Sequence, residues 1–338
     1  MKNTLLCLSF IAFAFGSAKA TVVTISNNTI AAGMYSSIQT GCDAANPGDT
    51  VYVMGSPTSY GDLTLKKRLT LIGAGYNVTG TQNNWNSVIN YFYFDTISFG
   101  SPISGTKIMG FNINQISQTG SGPINNVTVE RNYLGGYLYV MGSNWIIKDN
   151  NVSTINIQYN ANVYIYNNFI GAVQNSNKTS VVISNNNFVT NSGNAFYTMS
   201  NALIANNIFY YSSPLAYTTA CTFSNNITTN STAQVLPNAG NTGSGNFNNQ
   251  TPGFVDATIP TSTVGQNVVW NYNWHLTNAS AGHLSGTDLT DIGVYGGPYP
   301  FPNMSGATRI PQMELLNVQG TVPQGGNLNV NFKARKQN

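Results

Sequence analysis

Charged side chains are so scarce in this chain that each one can be asked what it does: of 338 residues, 13 are Lys or Arg and 10 are Asp or Glu. One quartet stands out. Glu130 and Lys148 lie eighteen residues apart, and so do Arg131 and Asp149. A Lys148 or Arg131 base could abstract a proton from an acidic sugar while its neighbour neutralised the uronate carboxylate, which is lyase chemistry. The same spacing also predicts two ion pairs of opposite sign on a protein surface, worth about 0–1 kcal/mol each. A lyase base needs an unpaired or depressed Lys or Arg. Lys148, Arg131, Glu130 and Asp149 are therefore the catalytic candidates, and their matched signs favour a structural role.

The remaining acids, Asp43, Asp49, Asp62, Asp95, Asp256, Asp288, Asp291 and Glu314, fall on unrelated positions. Calcium asks for several converging carboxylates, and glycoside hydrolysis asks for two acids close together. Neither pattern is present. Asp288 and Asp291 are nearest in sequence and are expected to bond turns. His275 and His283 are too few for a metal site. No cofactor is expected, and calcium has no support from carboxylate clustering.

What positions the quartet is a repeat of eighteen residues between Val127 and Phe188. Val127, Trp145, Val163 and Val181 form one row, and Val129, Ile147, Ile165 and Ile183 a second. Leu134, Val152, Ile170 and Phe188 form a third. A fourth contains only asparagine: Asn132, Asn150, Asn168 and Asn186. Apolar and polar residues alternate within each copy, as in Val163-Tyr-Ile165-Tyr166, which is the period of a strand. Identical residues returning every coil predict a parallel β-solenoid with strands about 4.8 Å apart. An inward asparagine at a turn can bond the backbone and the same asparagine one coil on, so a stack avoids the roughly 1–3 kcal/mol cost of a lone buried amide.

Beyond this stretch the register is looser. After Phe188 the period is expected to lengthen to twenty, with Ile183, Leu203 and Phe223 in one row and Asn186, Asn206 and Asn226 in the ladder. Asn201 breaks the valine row and predicts a bulge. About nine coils counted from Leu71 would give a rod of roughly 43 Å. On the outer surface, Ile146, Tyr164 and Val182 should line up on successive coils, with Tyr166 and Ile204 alongside. Such an apolar stripe marks a contact surface. It could be covered by the tail from Ile310, dock a protein or second copy, or stack on sugars. Tyr164, Tyr166, Ile146 and Val182 are the binding candidates.

Met1 to Ala20 reads as a secretory signal peptide: Lys2, an apolar run from Leu5 to Phe15, and Ala18-Lys-Ala20 before cleavage. That run is shorter than the roughly 20 residues a membrane span needs. With 7% charged residues and a net charge of +3, nucleic acid is not an expected partner. Cys42 and Cys221 should lie many coils apart, beyond disulfide reach, as free thiols.

Two further regions carry a resemblance. Ser37-Ile38-Gln39, Asn46-Pro47-Gly48-Asp49 leading to Val51-Tyr52-Val53, and Leu69-Thr-Leu71-Ile72-Gly73 resemble the opening of secreted right-handed parallel β-helix proteins of the pectate-lyase-like superfamily. Pro252-Gly-Phe254, Trp274-His275-Leu276 and Asp291-Ile-Gly293 resemble the closing segment of its secreted members from Bacteroidetes. Ile108-Met-Gly110-Phe111 resembles another coil of that family, with Gly-Phe where later coils carry Asn-Asn. The strict eighteen-residue register would align Met109 and Phe111 instead, and the family register is preferred.

The resemblance implies an N-terminal capping helix and an all-β, right-handed parallel β-helix with an irregular C-terminal closing region. The expected divisions are a signal peptide at 1–20, cap and first strand at 21–60, coils at 61–235, and closing segment and tail at 236–338, with a strand near Leu328–Lys333. The function expected is that of an exported, non-catalytic protein acting at the cell surface or outside in adhesion or carbohydrate binding. Its partner would be a polysaccharide or another surface protein. The alternative is a polysaccharide lyase or glycoside hydrolase acting on acidic glycans.

Overall fold

The computed structural model describes residues 21–302 apart from 30–32, 77–84, 98–102, 159–161, 176–179, 191–192, 230–234, 239, 257–258 and 260–270, together with the backbone of 312–318 and 330–335. The signal-peptide expectation for 1–20 and the start of the tail at Ile310 lie outside the described residues. Among the described residues no helix is long and apolar enough to cross a membrane.

The chain is a parallel β-helix. Short strands alternate between two long sheets, so that each return stacks a strand on its predecessor. The first sheet runs in order from Val22–Ile25 through Thr50–Val53, Thr70–Gly73, Lys107–Met109, Thr128–Glu130, Trp145–Lys148, Val163–Tyr166, Val181–Ser184 and Leu203–Ala205 to Thr222–Ser224. The second runs from Leu63–Leu65 through Ser87–Phe94, Phe111–Gln118, Tyr133–Val140, Asn151–Ile157 and Phe169–Asn175 to Asn187–Val189, Ile208–Tyr210 and Ile227–Thr228. Parallel strands joined by crossovers take the right-handed path. Between the sheets lies a dry core of Val, Ile, Leu and Phe, and Val127, Trp145, Val163 and Val181 are buried in one row as expected.

The asparagine ladder sets the register. Asn132, Asn150, Asn168 and Asn186 are fully buried. Each backbone N–H donates to the next rung's Oδ1, as Asn150 does to Asn168 at 2.9 Å. Each Nδ2 reaches two carbonyls and the next Oδ1; for Asn168 these are Ile147 at 2.9 Å, Tyr166 at 2.7 Å and Asn186 at 3.0 Å. The ladder opens where Phe111 N–H donates to Asn132 Oδ1 at 3.0 Å. Ile108 pairs with Val129, so the register with Gly110-Phe111 at the turn is the one adopted.

Past Phe188 the structure corrects two rows. The next rung is Asn207, not Asn206: Asn186 N–H donates to Asn207 Oδ1, and Asn207 N–H to Asn226 Oδ1. Ile183 pairs with Ile204, and Ile204 with Phe223, so Ile204 is buried while Leu203 is 55% exposed. The insertion falls between Phe188 and Phe196, because Ile170 pairs with Phe188 but Val173 with Phe196. Asn201 (φ 53°) repeats the left-handed corner of Asn162 and Ser180, and Ala202 takes the buried row of Val163 and Val181. The ladder also outlasts its expected end, because Asn226 N–H donates to Asn246 Oδ1 and Phe247 bridges to Ile227.

The N-terminal end is sealed. The helix Ile38–Ala44 buries Ile38 and Cys42 over the first coil. Its Gln39 amide clamps the outer strand: Nε2 donates to Thr64 O at 3.0 Å and Oε1 accepts from Thr64 N–H at 2.9 Å. That occupies backbone groups which would otherwise template another strand. Cys42 and Cys221 are free and buried. The tail forms an antiparallel pair, Gln312–Val318 with Val330–Arg335.

Removing one rung should cost more than a cavity. In Asn168→Ala, Asn150 N–H loses its acceptor and Ile147 O loses its donor inside the core, at about 1–3 kcal/mol per group. We expect a loss of at least ~3 kcal/mol in urea unfolding; a loss below ~1 kcal/mol would mean the ladder is not a stabilising spine.

Candidate functional site

Immediately before each ladder rung, the chain passes through a residue of positive φ: Gly110, Arg131, Asp149, Asn167, Asn185, Asn206 and Asn225. Turning into the ladder requires this left-handed residue, and asparagine adopts it at low cost. Its side chain therefore points outward at the corner of the coil. At four levels that outward amide is used. Asn225 Nδ2 donates to Ser285 O at 2.8 Å, and Asn206 exchanges two bonds of 2.9 Å with Thr287. Asn167 Nδ2 donates to Val294 O and Gly296 O at 2.8 and 2.7 Å. Gly297 runs so close to Asn185 that a Cβ would stand 2.8 Å from its amide oxygen.

The closing segment thus climbs the corner of the solenoid sideways. It traps a second apolar cluster in which Phe169, Val189, Ile208 and Ile227 of the coils meet Trp274, Ile292, Val294 and Phe301. His283 and Asp291 pair at 2.8 Å, and Asp288 accepts from Thr290, so both acids bond turns within this segment. His275 lies flat on Tyr295, ring centroids 3.7 Å apart.

At the two levels where the row reads Arg131 and Asp149, the corner is charged. Lys148 Nζ meets Glu130 at 2.7 Å and Asp149 at 3.4 Å, and stands 5.2 Å over the Tyr299 ring. Asp149 is buried, and its Oδ1 has no hydrogen-bond partner among the described residues. Burial outweighs the nearby Lys148 and Arg131 charges and pushes the Asp149 carboxyl up to about 7. Lys148 is the strongest influence holding it down, and the Glu130 charge beside the same ammonium adds slightly to the upward push. Tyr76 is buried, and its hydroxyl is pushed well up by burial and by the Asp149 charge. The quartet is brought together at one corner, with Lys148 bridging both carboxylates. Among the described residues no three of His, Cys, Asp or Glu gather as metal ligands would.

The outward stripe of the first sheet forms as a row: Ile146 pairs with Tyr164, and Tyr164 with Val182. Leu203, not Ile204, continues it. Tyr164 and Tyr166 rings lie 6.0 Å apart, and Tyr299 of the closing segment comes within 6.1 Å of Tyr166. Ile146 stays 37% exposed.

The second sheet carries a face that the repeat did not bring out. None of its strands contains a charged residue, from Leu63–Leu65 to Ile227–Thr228. Two near-parallel tyrosine pairs stand on it, Tyr91 with Tyr93 at 6.1 Å and Tyr137 with Tyr139 at 5.6 Å, and Tyr197, on a short strand paired beside Phe169–Asn175, stacks on Tyr217 of the following turn at 6.2 Å. Between them lie Gln115 and Ser117, then Thr154 and Asn156, then Gln174. A shallow cavity of about 420 Å³ opens here, lined by Gln115, Ser117, Gln118, Gly120, Tyr139, Met141 and Gln158. Rings beside amides and hydroxyls offer apolar faces and neutral hydrogen bonds at once.

Asp149 makes a pH prediction. Its folded carboxyl titrates near 7 against an ordinary 3.8, so over that interval the folded state holds a proton that the unfolded state has released. Its contribution is fully present below about pH 4 and is lost as pH rises through about 7, on the order of a few kcal/mol. Thermal unfolding midpoints should fall between pH 5 and 8, and Asp149→Asn should flatten that slope; an unchanged slope in the variant would remove Asp149 as its source. No family model matches the chain and no curated protein matches it.

Proposed function

We propose that the protein is an exported, non-catalytic solenoid that binds carbohydrate outside the cell, as in adhesion to a glycan surface. The observation carrying this reading is the second sheet: nine stacked strands without one charged residue, bearing tyrosine pairs and amides, with a shallow cavity between Gln115 and Tyr139. Sugars are recognised through ring stacking plus neutral hydrogen bonds. The opening and closing motifs resembling the pectate-lyase-like superfamily support the same class of ligand, because that superfamily acts largely on polysaccharides. The first-sheet stripe of Ile146, Tyr164 and Val182, flanked by Tyr166, is the second candidate surface for a polysaccharide or a surface protein.

One observation favours the alternative, a lyase or hydrolase acting on acidic glycans. At the charged corner a buried carboxyl near neutrality sits beside Lys148 and Arg131, as general acid–base chemistry would use. Against it, Lys148 is held by two carboxylates and lies under Tyr299.

Two measurements separate these readings. Affinity electrophoresis of the mature protein in gels containing neutral or acidic polysaccharides should show retardation, weakened by at least about tenfold in Tyr137→Ala/Tyr139→Ala, near 1.4 kcal/mol. The corresponding Tyr164→Ser/Tyr166→Ser variant tests the first sheet. No retardation in any gel removes the binding reading. Incubation with polygalacturonate and alginate in the presence of calcium should give no growth in the ultraviolet absorbance of unsaturated products; growth abolished by Lys148→Ala would establish the lyase instead.

A further inference from the structure

The second sheet also states which glycan it fits, if the carbohydrate-binding reading above holds. Its tyrosines recur at a definite interval along the solenoid axis. Tyr91 pairs with Gln115 and Tyr93 with Ser117 on the next coil. Ile116 then pairs with Leu138, which sets Gln115 and Ser117 against Tyr137 and Tyr139. The two tyrosine pairs are thus separated by one polar level, or two coil steps of ~4.8 Å each, about 9.6 Å. Tyr91 and Tyr137 remain 38% and 44% exposed, so both levels are open from the side.

A polysaccharide linked through equatorial bonds at both ends of each sugar is an extended ribbon. It advances by roughly one strand spacing per sugar, with alternate sugars in equivalent orientations. Laid along the axis, such a chain places one sugar on each coil. Alternate sugars then fall on Tyr91/Tyr93 and Tyr137/Tyr139, and the sugar between them meets the amide of Gln115 and the hydroxyl of Ser117. A coiled, axially linked chain does not keep this step. The face also selects on charge. No Lys or Arg stands on any of its strands; at its N-terminal edge the Asp62 carboxylate accepts from Tyr91 N–H at 3.3 Å, and the exposed Lys66 and the buried Asp95 follow the ends of the paired strands Leu63–Leu65 and Ser87–Phe94. A uronate laid across the strands at Gln115/Ser117 or Tyr137/Tyr139 would lose its hydration with no cation on those strands to receive it.

We infer that the second sheet binds a neutral, extended β-linked polysaccharide running parallel to the solenoid axis, with the tyrosine pairs at Tyr91/Tyr93 and Tyr137/Tyr139 holding alternate sugars. The test is calorimetric titration of the mature protein with cello-, manno- and xylo-oligosaccharides of two, four and six sugars, beside malto-oligosaccharides and oligogalacturonides. At least one neutral β-linked series should bind. Within it the tetrasaccharide, long enough to reach both pairs, should bind at least about tenfold tighter than the disaccharide, because the second contact becomes intramolecular. Tyr91→Ala should reduce the tetrasaccharide to disaccharide affinity while leaving the unfolding midpoint unchanged, and added salt should have little effect. Tyr137-dependent binding of oligogalacturonides or malto-oligosaccharides alone would overturn the assigned glycan class while leaving carbohydrate binding in place. Equal affinity for two and four sugars would overturn the axial alignment. Absence of binding by every oligosaccharide and polysaccharide would overturn both this inference and the function on which it rests.

Discussion

The buried asparagine is the constraint on which the rest of the molecule depends. An amide in a dry core must satisfy two donors and an acceptor, and the geometry that does so is another asparagine one coil on plus two backbone carbonyls. Once that bond is required, each coil's register is fixed at its corner whatever its length elsewhere. Loops can then vary, as they do between Phe188 and Asn207, without the strands losing register. The ladder also dictates its neighbour. Turning into the rung demands a left-handed residue, whose side chain is then presented outward at every level. The outward amides in turn hold the closing segment, so that one inward bond accounts for the sideways attachment of a segment more than eighty residues away.

That chain of dependence explains why the charged quartet sits where it does. Arg131 and Asp149 occupy left-handed positions that asparagine fills at the later levels, and there the closing segment brings Tyr299 against Lys148. The local rule is broken at two adjacent levels, which is where function or strain is to be sought. Lys148 is held between Glu130 and Asp149, which leaves it poorly placed as a free base. The carboxyl pushed up to about 7 is the residue of an incomplete compensation: one ammonium serves two acids, and the buried one is served less well.

Much of the fold was legible because it is written in single residues at constant spacing. The rows from Val127 to Phe188 and the free cysteines required no three-dimensional information, and the capping helix came only as what the family resemblance of Ser37-Ile38-Gln39 implies. Where the reading slipped, the cause is degeneracy. Asn206-Asn207 offers two identical candidates for one rung, and Leu203-Ile204 two apolar ones for one buried site; a single inserted residue decides between them, and composition is blind to it. The second sheet's tyrosines were hidden for a related reason. Opposite Leu134 to Tyr137 the register shifts against Val152 to Thr154, so Gly135-Gly136 knocks the tyrosines out of the eighteen-residue frame. The lateral attachment of the closing segment was illegible altogether, since nothing periodic links Thr287 to Asn206.

The distribution of charge between the two sheets then bears on how a single scaffold divides its surfaces. Lys107, Glu130 and Lys148 stand on the first sheet, and the second has none along its strands. Segregation of this kind has no value for stability, because exposed polar positions tolerate Lys or Glu as well as Gln or Tyr, and surface ion pairs contribute little either way. Charge does matter to a ligand that must shed water against the surface, since each unmatched ion on the protein would have to be desolvated with it. An uncharged face kept clear over nine levels, with rings spaced by whole coils, therefore points to selection for contact. The charged corner, folded against its own closing segment, points to selection for assembly.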